Sequence, residues 1–189
     1  MRFGPGQSTT ASDIVNNYAE EDLAAILREY GEERHRRAIA RRIVAIRPVK
    51  TTRDLVRAIE HLPGMTPGRI HPATRTFQAL RIAVNAELDV LARALERAVD
   101  LLRPDGVLVV ISFHSLEDRI VKRTFAAERR GCTCPPEAPV CVCGRRPRLR
   151  LLSTKGVTPS QAEIAAPPRA RSARLRAAVG AALRARLPR

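Results

Sequence analysis

RPDGVLVVISFHSLEDRIVKRTF, residues 103–125, carries a turn, a strand and the start of a helix, in that order. Arg103-Pro104-Asp105-Gly106 has the residue types of a tight turn. Val107 to Phe113 is an unbroken aliphatic and β-branched run, the pattern of a strand buried on both faces. A helix begins near Ser115 with Leu116, Ile120, Val121 and Phe125 on its inner side. Ser115 followed three residues later by Asp118 has the spacing of a capping box. Upstream, Phe77, Leu80, Val84, Leu88, Leu91, Leu95, Val99 and Leu102 recur at steps of three and four, one apolar stripe on a long helix. Helix, turn, buried strand and helix together predict an αβα unit of an α/β sheet, whose strand expects parallel neighbours.

The flanking sequence divides by pattern. Towards the N-terminus, Ser12 or Asp13 caps a first helix that runs through Ile14, Val15, Tyr18, Leu23, Ile26, Leu27 and Tyr30 and stops at Gly31. A second helix runs from Glu32, with Ile39, Ile43 and Ile46 on one stripe and Arg34, Arg37 and Arg41 on the other, and ends before Pro48. Thr51 and Asp54 cap a third, bearing Leu55, Val56, Ile59 and Leu62. LPGMTPGRIHP, residues 62–72, is dense in proline and glycine and reads as a loop. Towards the C-terminus, Leu149 to Thr154 reads as a strand and Ala173 to Val179 as a second strand or a helix, with an antiparallel strand pair the favoured reading. The expected organisation is a helical domain over 1–70 and an α/β domain over 71–189, the latter with a cysteine loop (132–143) and a basic tail (144–189).

A chain of 189 residues, 44% apolar and 28% charged, can bury a core and is neither disordered nor fibrous by composition. No stretch approaches the roughly 18 apolar residues of a membrane span. The start, MRFGPGQSTTASD, has no apolar core of a secretory signal, so a cytoplasmic protein is expected. The net charge is +15. From Gly144 onward there are twelve basic residues and one acid, Glu163, against 22 basic and 18 acidic in the preceding 143. Such polarity suits a phosphate backbone, with a solvated tail as the plainer alternative. Aromatics are only 3%, which argues against an aromatic stacking platform and for recognition by charge and shape.

Three groups of residues have chemical potential. Ser112-Phe113-His114-Ser115 lies at the carboxyl end of the predicted strand, where open α/β sheets bind ligands. Capping explains Ser115 and Asp118 at least as well, but leaves Ser112 and His114 without a structural duty. No Gly-x-Ser-x-Gly elbow accompanies them. His71 to Gln78 opens a helix whose N-terminus suits an anion, with Thr74 or Thr76 as cap and Arg75 and Arg81 adding charge; an ordinary solvated first turn explains it too. Cys132, Cys134, Cys141 and Cys143 form two C-x-C pairs that can supply four thiolates to a zinc ion. Their spacing is tighter than in most structural zinc sites, and disulfides or free thiols are the alternatives. A glycine-rich cofactor turn is missing: the one close pair, Gly4 and Gly6, has no room for a strand before it.

GQSTTASDIVN, YGEERHRRAIARRIV, HPATRTFQALRIAVNAEL and VISFHSLEDRIVKRTF, with PPRARSARLR near the end, closely resemble the bacterial ribosomal RNA small subunit methyltransferase H family. The resemblance runs from Met1 to about Arg130 and resumes in the last of these motifs. It implies S-adenosyl-L-methionine-dependent N4-methylation of a cytidine in small-subunit (16S) ribosomal RNA. It also implies a Rossmann-like class I methyltransferase fold, with residues 1–70 as a helical insert for substrate recognition and 71–189 as the C-terminal half of the sheet. Met1 resembles a point inside the family's chain, so the expectation is an N-terminally truncated enzyme whose cofactor positions lie outside these residues. Such a chain is expected to bind the cofactor poorly on its own. Ser112, His114 and Ser115 are then the catalytic candidates, and Arg75, Gln78 and Phe113 the substrate-binding ones. The expected partner is small-subunit ribosomal RNA or the subunit itself, with no membrane. A non-catalytic basic RNA-binding module is the alternative reading.

Overall fold

The computed structural model describes residues 1–4, 8–60, 62, 71–135 and 137–181. Most of the loop expected over 62–72 therefore lies outside the described residues. Those described form a mixed α/β structure in two compact units, Met1–Glu87 and Leu88–Arg189. No described helix is long and apolar enough to cross a membrane.

The first unit is helical: α1 Ala11–Asn17, α2 Glu20–Gly31, α3 Arg36–Ala45, α4 Thr52–Glu60 and α5 Thr74–Asn85. Its core holds Ile14, Leu23, Leu27, Ile39, Ile43, Ile59 and Leu80. The expected first helix is two, because Tyr18 is extended and ends α1. Thr10, rather than Ser12 or Asp13, is the N-cap: its hydroxyl accepts the Asp13 N–H at 3.1 Å, and Asp13 Oδ2 accepts the Thr10 N–H at 2.7 Å. Gly31 does close α2, followed by Glu32 in the left-handed region, so α3 begins at Arg36 instead of Glu32. A Cβ on Gly31 would sit 2.8 Å from the Arg75 carbonyl oxygen, the mark of close α2–α5 packing. The box at α4 forms as its spacing predicts, with Thr51 N–H to Asp54 Oδ2 at 2.9 Å and Asp54 N–H to Thr51 Oγ1 at 3.2 Å.

The single long helix expected from Phe77 to Leu102 is broken at Ala86, whose φ is 48°. α5 ends at Asn85, and α6 spans Glu87–Leu101. Leu80 and Val84 belong to the first core, while Leu95 and Val99 belong to the second. A distant polar anchor stands at the break. Buried Asn85 accepts the Phe3 N–H at 2.9 Å and donates to the Met1 carbonyl at 2.9 Å and the Arg81 carbonyl at 2.7 Å. The compact units thus part after Glu87, with α5 on the helical side, where the sequence suggests a division near residue 70.

The second unit has α6, β1 Val107–Ser112, α7 Ser115–Arg130, β2 Leu149–Leu151, α8 Gln161–Ala165, a 3-10 turn at Pro168–Ser172 and β3 Arg174–Gly180. The strand pair expected near the C-terminus forms. Strand order is β1-β3-β2, antiparallel throughout, with Val107 opposite Val179, Ser112 opposite Arg174, and Leu149 opposite Gly180. Among the described residues β1 therefore has no parallel neighbour and is an edge strand. It is not buried on both faces either: Val107, Val109 and Ile111 remain 56, 51 and 54% exposed. Leu108 and Val110 face the other way, onto Leu95, Val99, Val121, Phe125, Leu149 and Ala178. A β-branched run reads alike whether its second face is covered or open. The described part of the basic segment, residues 145–181, is no loose tail, since it contains β3, the central strand.

Candidate functional site

The β1–α7 junction gathers the residues singled out in the sequence, with duties different from those expected. His114, not Ser115, is the N-cap of α7. It is extended at φ −142°, and its Nδ1 accepts the Glu117 N–H at 3.3 Å. Glu117 reaches back, and its Oε2 accepts the N–H groups of Phe113 at 2.7 Å and His114 at 3.2 Å. The box is thus His114–Glu117, one residue earlier than the Ser115–Asp118 box predicted. His114 Nε2 lies 3.2 Å from Glu117 Oε1. Burial raises the Glu117 carboxyl, and the bonds from the His114 side chain and the Phe113 N–H together outweigh it, leaving the group below its ordinary value.

Ser112 has a structural duty as well: it is buried, and its hydroxyl donates to the Arg174 carbonyl at 3.2 Å, fastening the end of β1 to β3. Asp118 is released from capping and takes a buried partner. Arg176, 8% exposed on β3, binds it in bidentate fashion, Nε to Oδ1 at 2.6 Å and an NH2 group to Oδ2 at 2.9 Å. The Arg176 hydrogen bond holds the Asp118 carboxyl below the usual carboxylate range. Nothing in the sequence signals this pair beyond opposite charges 58 residues apart. Phe113 and Ser115 are the members of the quartet that face solvent. Beyond Ile111 an apolar hollow of about 540 Å³ continues the open face, walled by Ile111, Val157, Ala162, Ala166 and Leu175.

Arg75 and Gln78 are brought together in the first unit, but both serve the end of α2. Arg75 donates to the Glu32 carbonyl at 3.2 Å and Gln78 to the Tyr30 carbonyl at 3.1 Å. Neither Thr74 nor Thr76 caps α5. Ala73 is the N-cap, and the buried Thr76 hydroxyl has no hydrogen-bond partner among the described residues.

The four cysteines converge after the far end of α7. Cys132 and Cys141 sulfurs are 3.4 Å apart, Cys141 and Cys143 3.5 Å, Cys143 and Cys132 3.7 Å, and Cys134 and Cys141 3.9 Å. The backbone N–H groups of Thr133 and Arg145 lower the Cys143 thiol to about 5, while the Cys132 and Cys143 thiols push Cys141 up to about 12. Beside the loop a cavity of about 810 Å³ is lined by Arg123, Arg130, Arg145, Arg146 and Arg148 with Glu128. Arg148 is already spent on internal pairs, bidentate to Glu128 at 2.6 and 2.8 Å and bound to Asp100 at 2.6 Å.

The turn between β1 and α7 does not have the form of an S-adenosylmethionine cradle. No glycine stands between β1 and α7, and the N–H groups of Phe113, His114 and Glu117 at the strand end are already bonded. A nucleotide-like ligand needs such amides free and closely approachable.

Comparison with known proteins then gives the junction a context. A family model described as the MraW methylase family matches residues 1–180. Ribosomal RNA small subunit methyltransferase H of Thermomicrobium roseum is 56% identical over 181 residues, 94% of this chain and 56% of that protein. The protein of the same name from Geobacter sulfurreducens is 58% identical over 183 residues, covering 94% and 59%. That from Dehalococcoides mccartyi is 55% identical over 178 residues, covering 94% and 51%. The chain spans little more than half the length of the curated relatives it matches. With the motifs in register along nearly all of its own length, the chain belongs to the MraW methylase family.

Proposed function

We propose that this chain works as part of an enzyme that transfers a methyl group from S-adenosylmethionine to N4 of a cytidine in small-subunit (16S) ribosomal RNA. The observation that carries this reading is identity above 50% across 94% of the chain to relatives bearing the name ribosomal RNA small subunit methyltransferase H. In this reading residues 1–70 belong to a helical insert that recognises RNA. Residues 71–189 supply the closing half of a Rossmann-like sheet, whose remaining strands pair along the open edge of β1 and cover Val107, Val109 and Ile111. The cofactor is held by segments outside this match, and the residues here act on the substrate.

Methyl transfer to an exocyclic amine depends on placing its nitrogen in line with the methyl carbon, so positioning dominates. A base in structured RNA must leave its stack to be reached. Exposed Phe113 offers an apolar face for such a base. Because His114 Nδ1 accepts a hydrogen bond, the neutral ring carries its proton on Nε2. Nε2 is buried and lies 3.2 Å from Glu117 Oε1, so the ring shapes the turn and bears on the substrate through it, as a positioning residue. Ser115 stands on the solvent side of the same turn. Ser112 acts through the strand it fastens, as a positioning residue. Arg75 and Gln78 act on substrate binding through the α2 end they hold.

A basic RNA-binding module without chemistry is the second reading, favoured by the twelve-to-one excess of basic residues after Gly144 and the arginine-lined cavity. One experiment separates the two: incubation of a full-length family enzyme carrying this chain with labelled S-adenosylmethionine and unmethylated small-subunit RNA. Label transferred to the RNA supports the enzyme; tight RNA binding without transfer supports the module.

A further inference from the structure

The cysteine loop has no part in the methyl-transfer reading and follows the opposite end of α7 from the Ser112–Ser115 junction. We propose that Cys132, Cys134, Cys141 and Cys143 bind one zinc ion as a tetrathiolate site. All four sulfurs lie within 4.8 Å of one another. Neighbouring sulfurs are 3.4 to 3.9 Å apart. A tetrahedral ion with Zn–S bonds of about 2.3 Å sets its sulfurs about 3.8 Å apart. A disulfide would instead draw two sulfurs to about 2.05 Å, far closer than the 3.4 to 3.9 Å between neighbouring sulfurs here. The tight C-x-C spacing, which weakens the case on sequence alone, is not an obstacle here, since Cys141 and Cys143 place their sulfurs 3.5 Å apart.

The backbone is shaped to bring the two pairs together. Gly131 and Gly144, immediately outside the first and last cysteines, have φ of 70° and 63°. A Cβ on Gly131 would collide with the backbone of Arg146 and Pro147, so the two arms touch at the neck. The Arg148 N–H closes the neck on the Glu128 carbonyl at 2.8 Å. Joining two pairs across so short a loop carries a small closure entropy. Thr133 N–H points at the Cys143 sulfur at 3.5 Å, the kind of amide contact that supports a bound thiolate.

Charge fits too. Four thiols bind one divalent ion by releasing four protons to solvent; four Zn–S bonds form and nothing is oxidised or reduced. The product carries two negative charges, and Arg130, Arg145 and Arg146 line the same cavity as Cys132. The ion fixes the α7–β2 connection and pins Arg145 and Arg146 on the rim of that cavity.

The test is metal analysis of the full chain, purified under reducing conditions without chelator and dialysed against zinc-free buffer. About one zinc per chain, released when a mercurial blocks the thiols, is the expected result. Cobalt exchanged into the chain should show the visible absorption of a tetrahedral tetrathiolate. Cys134→Ser with Cys141→Ser should lose the bound zinc, whereas Val142→Ser, between two ligands, should keep it. Four freely titrating thiols with no zinc retained, even after zinc is supplied, would overturn the proposal, as would two disulfides in the purified chain. The first measurement needs no variant, so its outcome does not depend on whether a cysteine variant folds.

Discussion

His114 holds the first turn of α7 through Nδ1, so His114→Ala should remove a cap and cost about 1 kcal/mol, read as a lower melting temperature. Asparagine caps helices well, so His114→Asn should restore most of that stability. In a full-length family enzyme the same Asn variant separates the two duties of the ring. Normal melting with a large loss of turnover means that the ring positions the turn for substrate, whereas normal melting with normal turnover leaves His114 a cap alone. Asp118 makes the pH prediction. Its folded-state pKa is depressed by Arg176, so its contribution is complete above the unfolded value of 3.8 and is lost as pH falls through the lower folded value. Glu117 shifts in the same direction and adds to acid sensitivity. Asp118→Asn should cost about 3 kcal/mol near neutral pH, because it strips a buried arginine of its partner. It should also make melting temperature less steeply dependent on pH below about 4. Equal slopes in the two proteins would mean that Asp118 has no share in acid sensitivity.

Ala86 joins α5 to α6 in a left-handed conformation that costs a residue with a Cβ roughly 1 kcal/mol, so Ala86→Gly should raise stability by about that amount in denaturant unfolding. A lower stability would mean that the break is not held in this conformation. The same residue shows why part of the fold is not legible in the sequence. Helical periodicity runs on in the sequence across Ala86 although its two halves bury in different cores, and alanine is itself a strong helix former. At the break Asn85 is bonded to a backbone more than eighty residues away, which no local window contains. Local chemistry, by contrast, reads well. Thr51 and Asp54 form their box, Gly31 closes α2, and the strands near Leu149 and Ala173 pair antiparallel. The site is legible only as a place. Ser112 to Ser115 stands at the end of a strand as expected, yet histidine is an uncommon cap, so the sequence favours Ser115 for a duty that His114 performs.

The whole chain carries +15, but its arginines do not act alike towards RNA. Arg148 and Arg176 are committed to internal carboxylates, and their loss should first reduce stability. Arg145 and Arg146 are exposed beside the arginine-lined cavity. Replacing both by glutamine should leave melting nearly unchanged and flatten the dependence of log RNA affinity on log salt by about 0.7 to 0.9 for each phosphate no longer neutralised. An unchanged slope would place the RNA elsewhere. Simply removing the residues after Gly144 cannot serve as this test, because it takes away the central strand β3. Methylation itself is tested most directly on the cell's own RNA: delete the gene and measure N4-methylcytidine in nuclease-digested small-subunit ribosomal RNA by mass spectrometry. If the chain serves the proposed methyl transfer, the mark disappears and returns with the wild-type gene; a mark that persists at its original level in the deletion strain would rule that function out.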